Sequence, residues 1–478
     1  MGFKLVILWT DVVLWLMLLG LGAYVAHVRR DPSLRATWGK VFMSGAAMAS
    51  SVVLLAMLGV TVIDSVHFRR ALPTQGSEAI AYDTRTESLL DLALGKLVKS
   101  REKSYSAPLA THGFVKETIP PKAGDKPVLD EHGVPLPPPR AHPRLQHGGA
   151  GLADPASEHL PDVLARLAAG TAAGVALAGL LRLALRRRLD PEVPQAWSSA
   201  WWSAAVLLVL CGWAVALNWG QGYHVLGTDR TGNDVLYQAL KSVRTAFVIG
   251  SLATLATLPL ALVLGIAAGY FKGWVDDVIQ YLYTVLSSVP NILLIAACVL
   301  MVQVFLDKHP ELFETGLERA DLKIFLLCVI LGVTGWAGLC RLLRAETLKL
   351  RELEYVQAAV AFGAGHGRIM RRHILPNVMH LVLITTVLEF SSLILYEAVL
   401  SYVGVGVDPA MNSFGGMINQ ARVEMSRDPI VWWSFAAAFI FMVGIVLAAN
   451  LFADAVRDAF DPRARVVRPV KRAHAVPR

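Results

Sequence analysis

The sequence predicts an all-α, polytopic membrane helix bundle of about nine transmembrane helices. Three observations predict it. Of the 478 residues, 55% are hydrophobic and only 17% charged, against about 25% charged in ordinary soluble domains. The mean hydropathy is +0.50. The apolar residues are gathered into runs of about 20, the length that crosses a bilayer as a helix.

In chain order the runs lie near 4–28, 41–66, 160–181, 197–217, 243–269, 277–304, 323–343, 378–404 and 431–452. Residues 5–26 have the apolarity of a signal peptide. However, Arg29, Arg30, Arg35 and Lys40 follow the run instead of preceding it, and it has no clear A-x-A cleavage site, so the run reads as a retained anchor. Nine spans place these four cations on one side of the membrane. The same side receives Arg182 and Arg186 to Arg188, the basic stretch 344–377, and the tail from Arg457 to Arg478. The acidic segment 305–322, with Asp307, Glu311, Glu314, Glu318 and Asp321, falls on the other side. The positive-inside rule then puts the N-terminus outside and the C-terminus in the cytoplasm. The net charge of +8 is explained by these loops and implies no nucleic-acid partner.

Residues 67–159 form a long outer segment holding eleven of the 24 prolines, including PLPPP at 135–139. That composition predicts an extended, partly disordered linker. Within it, ESLLDLALGKLVK (87–99) has the pattern of a short amphipathic helix for a membrane surface or a partner. His67, His112, His132, His142 and His147 are scattered at no metal-binding spacing, and no metal site is expected. Cys211, Cys298, Cys328 and Cys340 all sit in apolar runs and read as packing residues. Gly170/Gly174 and Gly265/Gly269 read as points of close helix approach.

Between two apolar runs lies QAAVAFGAGHGRIMRRHILPN, Gln357 to Asn377. Glu346 to Phe362 lack strong helix breakers and predict a helix leaving the membrane. Gly363, Gly365 and Gly367 end it. Arg368 to Leu375 predict a second short helix that stops at Pro376, where the next span opens. Two helices across a glycine turn make a compact basic knob, suited to an acidic groove on a soluble partner.

Residues 222–462, about half the chain, resemble the C-type permeases of dipeptide, oligopeptide and nickel ABC importers. Five blocks carry the resemblance in order: HVLGTDRTGNDVLYQAL (224–240), GIAAGYFKGWVDDVI (265–279), RELEYVQAAVAFGAGHGRIMRRHILPN (351–377), YEAVLSYVGVGVDP (396–409) and DAVRDAFDPR (454–463). Gln357 stands where the family's signature has Glu, and Asn233 where it usually has Arg. The resemblance implies a type-1 permease core with a cytoplasmic coupling loop that docks on an ATPase. Its candidate residues are Glu354, Gln357, Ala358, Ala359, Gly363, Gly365, Arg368, Arg371, Arg372, Ile374, Leu375 and Pro376. The implied partners are a second permease forming a heterodimer, two ABC ATPase domains and an extracytoplasmic substrate-binding protein. No G-x-x-x-x-G-K-[ST] loop occurs, so no cofactor is expected on this chain, ATP and Mg belong to the partner ATPase, and the chain is not an enzyme.

Segment 224–240 reads as an outer surface helix for docking, with Gly227, Thr228, Asp229, Gly232 and Asp234 as its candidates. Glu389 and Glu397 lie within a span, where a lipid-facing carboxylate costs at least about 2.5 kcal/mol. They are candidates for the translocation path, against the alternative that Glu397 is hydrogen-bonded in the bundle near the outer surface and Glu389 pairs with a partner subunit. Asp11 and Lys323 read as interfacial.

The domain division that follows is 1–66 for N-terminal spans, 67–159 for the outer segment and 160–221 for further spans. The permease core follows at 222–462, with the coupling loop at 344–377, and a basic tail at 463–478. The function expected is that of a permease subunit of an ATP-driven peptide importer, coupled through 354–377. An ion-coupled secondary transporter and a membrane scaffold are the competing readings.

Overall fold

The structure is a computed structural model and describes residues 3–72, 82–118, 140–185, 194–220 and 222–460. Strand β1 (Phe3–Val6) precedes α1 (Trp9–Arg30), α2 (Pro32–Val41) and α3 (Gly45–Asp64). Then come β2 (His67–Arg70), β3 (Glu87–Ser88), α4 (Leu89–Ala93), α5 (Gly95–Lys99), β4 (Glu117–Thr118) and β5 (Arg140–Ala141). Next are α6 (Pro155–Leu185), α7 (Pro194–Asn218), α8 (Val235–Phe271), α9 (Gly273–Ser288), α10 (Asn291–Lys308), α11 (Gly316–Gly335) and α12 (Ala337–Arg351). The chain closes with α13 (Glu354–Ala361), α14 (His366–Ile369), a π-helical turn at Met370–Ile374, α15 (Leu375–Tyr402), α16 (Phe414–Glu424) and α17 (Trp433–Phe460). Among the described residues eight helices are long and apolar enough to span a membrane, or nine when α11 and α12, bent by 41°, count as one. The expected span number is therefore met, and the fold is all-helical apart from short strands.

Helix α8 is the mast of the bundle. Asp234 caps it, accepting from Leu236 N at 2.9 Å and Tyr237 N at 3.1 Å. Three apolar layers follow along it. Val235 to Phe247 pack with α16, α17 and Tyr105. Val248 to Ala253 pack with α10, α11 and α15. Ala261 to Tyr270 pack with α9, α12 and the loop at 356–374. Gly265 and Gly269 let α12 in: a Cβ on Gly265 would stand 2.9 Å from Cys340 O, and one on Gly269 2.7 Å from Arg344 O. Gly170 and Gly174 likewise face the backbone of Gly212 and Val209 on α7. Both glycine pairs thus serve helix packing.

Five expectations are corrected. The span expected over 277–304 is broken, because Pro290 has no N–H to donate and Val289 before it is extended. Helix α10 alone is the candidate span, and α9 is amphipathic, burying Asp276, Ile279 and Tyr283 on one face. The described part of 67–159 is folded: β2 pairs antiparallel with β1 (Phe3↔Arg70) and with β3 (His67↔Ser88), and β4 pairs with β5. The run PLPPP and His132 lie outside the described residues. Segment 87–99 is not one helix but β3, α4 and α5, with a capping box at Ser88 and Asp91. It faces the core: Lys241 Nζ lies 2.7 Å from Asp64 Oδ1 and 3.0 Å from Asp91 Oδ2.

Asp11 is not interfacial either. It is buried, 2.6 Å from Arg244 and 2.8 Å from His67 Nδ1. Asp321 lies 3.7 Å from the same guanidinium and accepts from Thr10. Buried charges persist only when paired and bonded, so this cluster ties α1 and β2 to α8 and α11. Lys323 is also buried rather than interfacial.

Candidate functional site: the coupling knob

The helix expected over 346–362 is interrupted at Glu352 and Leu353. Helix α12 ends at Arg351, and α13 starts at Glu354. Gly363 follows in a left-handed conformation, φ +73°, which a glycine adopts without a Cβ penalty. Gly365 then caps α14. The π turn runs into α15 with Pro376 in the first turn of that helix, where its missing N–H costs nothing.

Val356, Ile369 and Ile374 are fully buried and seat the knob on the bundle. Leu375 and Ala359 are half-buried. Glu354, Gln357, Ala358, Gly363, Gly365, Arg368, Arg371, Arg372 and Pro376 are exposed. Gln357 Nε2 donates to Glu352 O at 3.2 Å, so this side chain bridges the break between α12 and α13. The structure therefore gathers all twelve coupling candidates into one feature, with Ile374 in its buried seat.

Sequence reasoning missed its apolar point and its braces. Phe362 is 90% exposed at the tip, with Tyr355 and Val360 exposed beside it. Together the three make an exposed apolar tip on an otherwise basic feature. Three braces join the knob's base to α8 and α9. Arg344 grips Asp276 with two bonds of 2.5 and 2.6 Å. Lys272 lies 2.7 Å from Glu352, and Tyr270 OH lies 2.9 Å from His366 Nδ1. The bond from Arg344 holds the Asp276 carboxyl below the ordinary carboxylate range. All three core-side partners lie in the block GIAAGYFKGWVDDVI, the signal that pointed to them.

The five docking candidates do not form a helix. Residues 224–234 are a turn-rich loop with Gly227 at φ +73° and Gly232 at φ +79°, and Asp234 at its end caps α8. Nor is the loop free. Thr228 is fully buried, its hydroxyl donating to Ser104 O at 2.9 Å and accepting from Ser106 N at 2.7 Å. Asp229 accepts from Gln238 Nε2 at 2.5 Å. Glu102 N donates to Gly232 O at 3.0 Å. The outer segment therefore covers this loop, because backbone atoms of Ser106 and Glu102 occupy the space where a Cβ on Gly227 or Gly232 would sit.

Beneath that cover His224 Nδ1 bonds Asp234 Oδ2 at 2.8 Å, and its Nε2 stands 3.6 Å from Glu102 Oε1, an ion pair rather than a hydrogen bond. Burial disfavours the imidazolium, but the two carboxylates outweigh it and hold His224 up to about 9. Burial likewise opposes the Glu102 carboxylate, yet His224 and the backbone N–H groups of Gln146 and His147 hold it down to about 2.

The two intramembrane carboxylates are not brought together. They lie eight residues apart on α15, about 12 Å along the axis. Glu397 is buried and accepts from Ser401 Oγ at 2.7 Å, the bonded-in-the-bundle alternative, whereas Glu389 is half-buried. Among the described residues no group of His, Cys, Asp or Glu could hold a metal ion.

Residues 261–466 match the family model "Binding-protein-dependent transport system inner membrane component". The chain is 31% identical over 245 residues to the oligopeptide transport system permease protein OppC of Haemophilus influenzae, covering 51% of this chain and 72% of that one. It is 32% identical over 240 residues to the glutathione transport system permease protein GsiD of Pectobacterium atrosepticum, covering 50% and 73%. It is 30% identical over 242 residues to the dipeptide transport system permease protein DppC of Bacillus subtilis, covering 51% and 69%. The chain belongs to the binding-protein-dependent transport inner-membrane family: it is a multi-pass inner-membrane permease subunit of an ABC importer, working with other subunits and itself not catalytic.

Proposed function

We propose that this chain is the C-type permease of an importer for short peptides, docking on an ABC ATPase through residues 354–377. The observation that carries the reading is the knob itself: an exposed Phe362 and three exposed arginines on a helix–glycine–helix turn that is seated by buried Val356, Ile369 and Ile374. Peptide cargo is supported by relatives named for oligopeptides, dipeptides and glutathione. A second permease packs beside this one, against the apolar face carrying Trp274, Tyr281, Leu293 and Met301 on α9 and α10. Two ATPase domains bind the two coupling loops and hold the ATP and Mg. An extracytoplasmic binding protein delivers the substrate.

The N-terminus lies outside and the C-terminus in the cytoplasm. Lys4 and Arg69 pair with Glu314, which puts β1 and β2 beside the acidic segment. Trp38 on α2 packs against Phe452 and Phe460, which puts the end of α17 beside the basic turn after α1. The knob runs without a break into α15, and its braces reach α8, α9 and α12. ATP-driven closure of the ATPases therefore displaces α15 against the mast and switches the open side of the path. No observation favours the secondary-transporter or scaffold readings.

The test is uptake of labelled trialanine by cells with and without the chain. The reading expects chain-dependent uptake that survives collapse of ion gradients and stops on ATP depletion. Uptake unchanged by deleting the chain would overturn it.

A further inference from the structure

Helix α1 buries only Thr10, Asp11 and Leu14 among its residues, all in the half near its start. The other half, which ends at Arg29 and Arg30, carries a shallow open groove. Gly22 and Ala26 leave the space, Leu18, Leu21 and Val25 stand beside them, and Arg29 and Arg30 close the end. These positions recur at intervals of three and four, so they share one face of the helix. Leu18 lies about 17 Å from Arg29 along the axis, close to the roughly 15 Å depth of one leaflet's hydrocarbon. The groove therefore matches the reach of an acyl chain and ends at the level of the headgroups.

The surroundings of Arg29 and Arg30 set both that level and its charge. Helix α2 folds back on α1, with Trp38 Nε1 donating to Tyr24 OH at 3.0 Å, and packs on Phe452 and Phe460 at the end of α17. Such aromatic side chains gather at the membrane–water interface. Arg29, Arg30, Arg35 and Lys40 are all exposed there, and none makes an ion pair or a side-chain hydrogen bond among the described residues. The carboxylate of this turn, Asp31, is engaged as the cap of α2, accepting from Ser33 N at 2.8 Å. Asp454 and Asp458 on the last turns of α17 pair with none of the four cations. Four unpaired cations where a span leaves the bilayer complement an anionic lipid surface.

We propose that this groove binds one anionic phospholipid of the adjoining leaflet, with an acyl chain along Gly22 and Ala26 and the headgroup phosphate on Arg29 and Arg30. A zwitterionic headgroup brings its own ammonium against the same cations, so the site selects a lipid of net negative charge. The lipid gives this half of α1 the packing that the bundle does not. The assignment is independent of the cargo.

The test uses the full-length chain, with the subunits that copurify, in vesicles of phosphatidylcholine and phosphatidylglycerol. The four native cysteines are replaced. Ala23→Cys carries a bimane at the groove's edge, and Val12→Cys on the other half of α1 carries it as a control. Each lipid is supplied in turn with a nitroxide on its acyl chain, which quenches the bimane on contact. At Ala23 the binding constant of phosphatidylglycerol relative to phosphatidylcholine should be about thirty, about five-fold for each arginine. At Val12 it should be about one, because no free cation lies nearby. Arg29→Gln with Arg30→Gln should abolish the preference at Ala23, whereas Arg29→Lys with Arg30→Lys should retain it. In pure phosphatidylcholine, quenching by its labelled form should be the same in all variants, which separates lost recognition from a misplaced helix.

Equal binding of the two lipids at Ala23, the same preference at Val12, or a preference that survives the glutamine pair would each overturn the assignment. So would a bimane at Ala23 that neither lipid quenches, the result expected where a partner protein covers the groove.

Discussion

Arg344 and Asp276 form a bidentate clasp between α12 and α9, with Nε to Oδ1 at 2.5 Å and Nη2 to Oδ2 at 2.6 Å. Two parallel bonds fix orientation as well as distance. The clasp joins α12, the helix that leads into the knob, to α9, the helix that follows the mast.

Loss of this clasp should therefore cost coupling. Asp276→Asn removes charge-assisted bonds worth about 1.5–3 kcal/mol. ATP-driven uptake per molecule of chain should fall several-fold. The exchanged pair Asp276→Arg with Arg344→Asp should recover part of the loss, and uptake assays normalised to chain abundance measure both.

Phe362→Ala should leave the chain's abundance and thermal stability unchanged, because the ring touches little of its own bundle. Binding of the ATPase should weaken by about 2 kcal/mol or more, roughly thirty-fold, as for an aromatic anchor at an interface centre. Titration of the purified transporter core with its ATPase measures this.

The two glycines of the turn should behave differently. Gly363 sits at φ +73° and Gly365 at φ −61°, and neither would bring a Cβ near another atom. Gly363→Ala should cost about 1–2 kcal/mol through backbone strain alone, whereas Gly365→Ala should be nearly silent. Thermal unfolding in detergent compares the two.

The cover over the outer loop should loosen in alkali. His224 is held up to about 9 from its ordinary 6.5, so its contribution is complete below pH 6.5 and is lost as pH rises through 9. Glu102, held down to about 2 from 4.5, contributes fully above pH 4.5 and loses that only as pH falls through 2. Hydrogen exchange of residues 140–152 should therefore be slowest between pH 4.5 and 6.5, after correction for intrinsic rates. It should accelerate from pH 7 to 9, and His224→Gln should remove the alkaline step.

Asp11→Ala should destabilise the protein by about 3–5 kcal/mol, because it strips the main counter-charge from buried Arg244. Asp11→Asn, which keeps a hydrogen-bond acceptor, should cost less. Accumulation in membranes and resistance to proteolysis rank the two variants.

What the sequence made legible follows from the range of the forces involved. Spans are written locally, as apolar runs, and so is the knob, as basic residues around Gly363. Pro290 is legible too, but apolar residues continue on both sides of it, so the sequence alone reads as one span. The cover over 224–234 was not legible, because it depends on Glu102, Tyr105 and Ser106 meeting residues more than a hundred positions away. Proline content suggested an open linker, yet side-chain and backbone bonds fold that segment onto the core. Asp11 and Lys323 read as interfacial from their places near span ends. Only the tertiary structure shows that Asp11 faces Arg244 and that Lys323 is buried. Phe362 was hidden in plain view, since exposure cannot be read from a residue type that is usually buried.

The central claim is that the knob docks on an ATPase and moves with its nucleotide cycle. The most direct measurement is crosslinking from Gly365→Cys in native membranes, in a chain whose four native cysteines are replaced. The account predicts capture of a nucleotide-binding ATPase with a yield that changes when ATP is added. A cysteine accessible from the cytoplasm that captures no ATPase would contradict it.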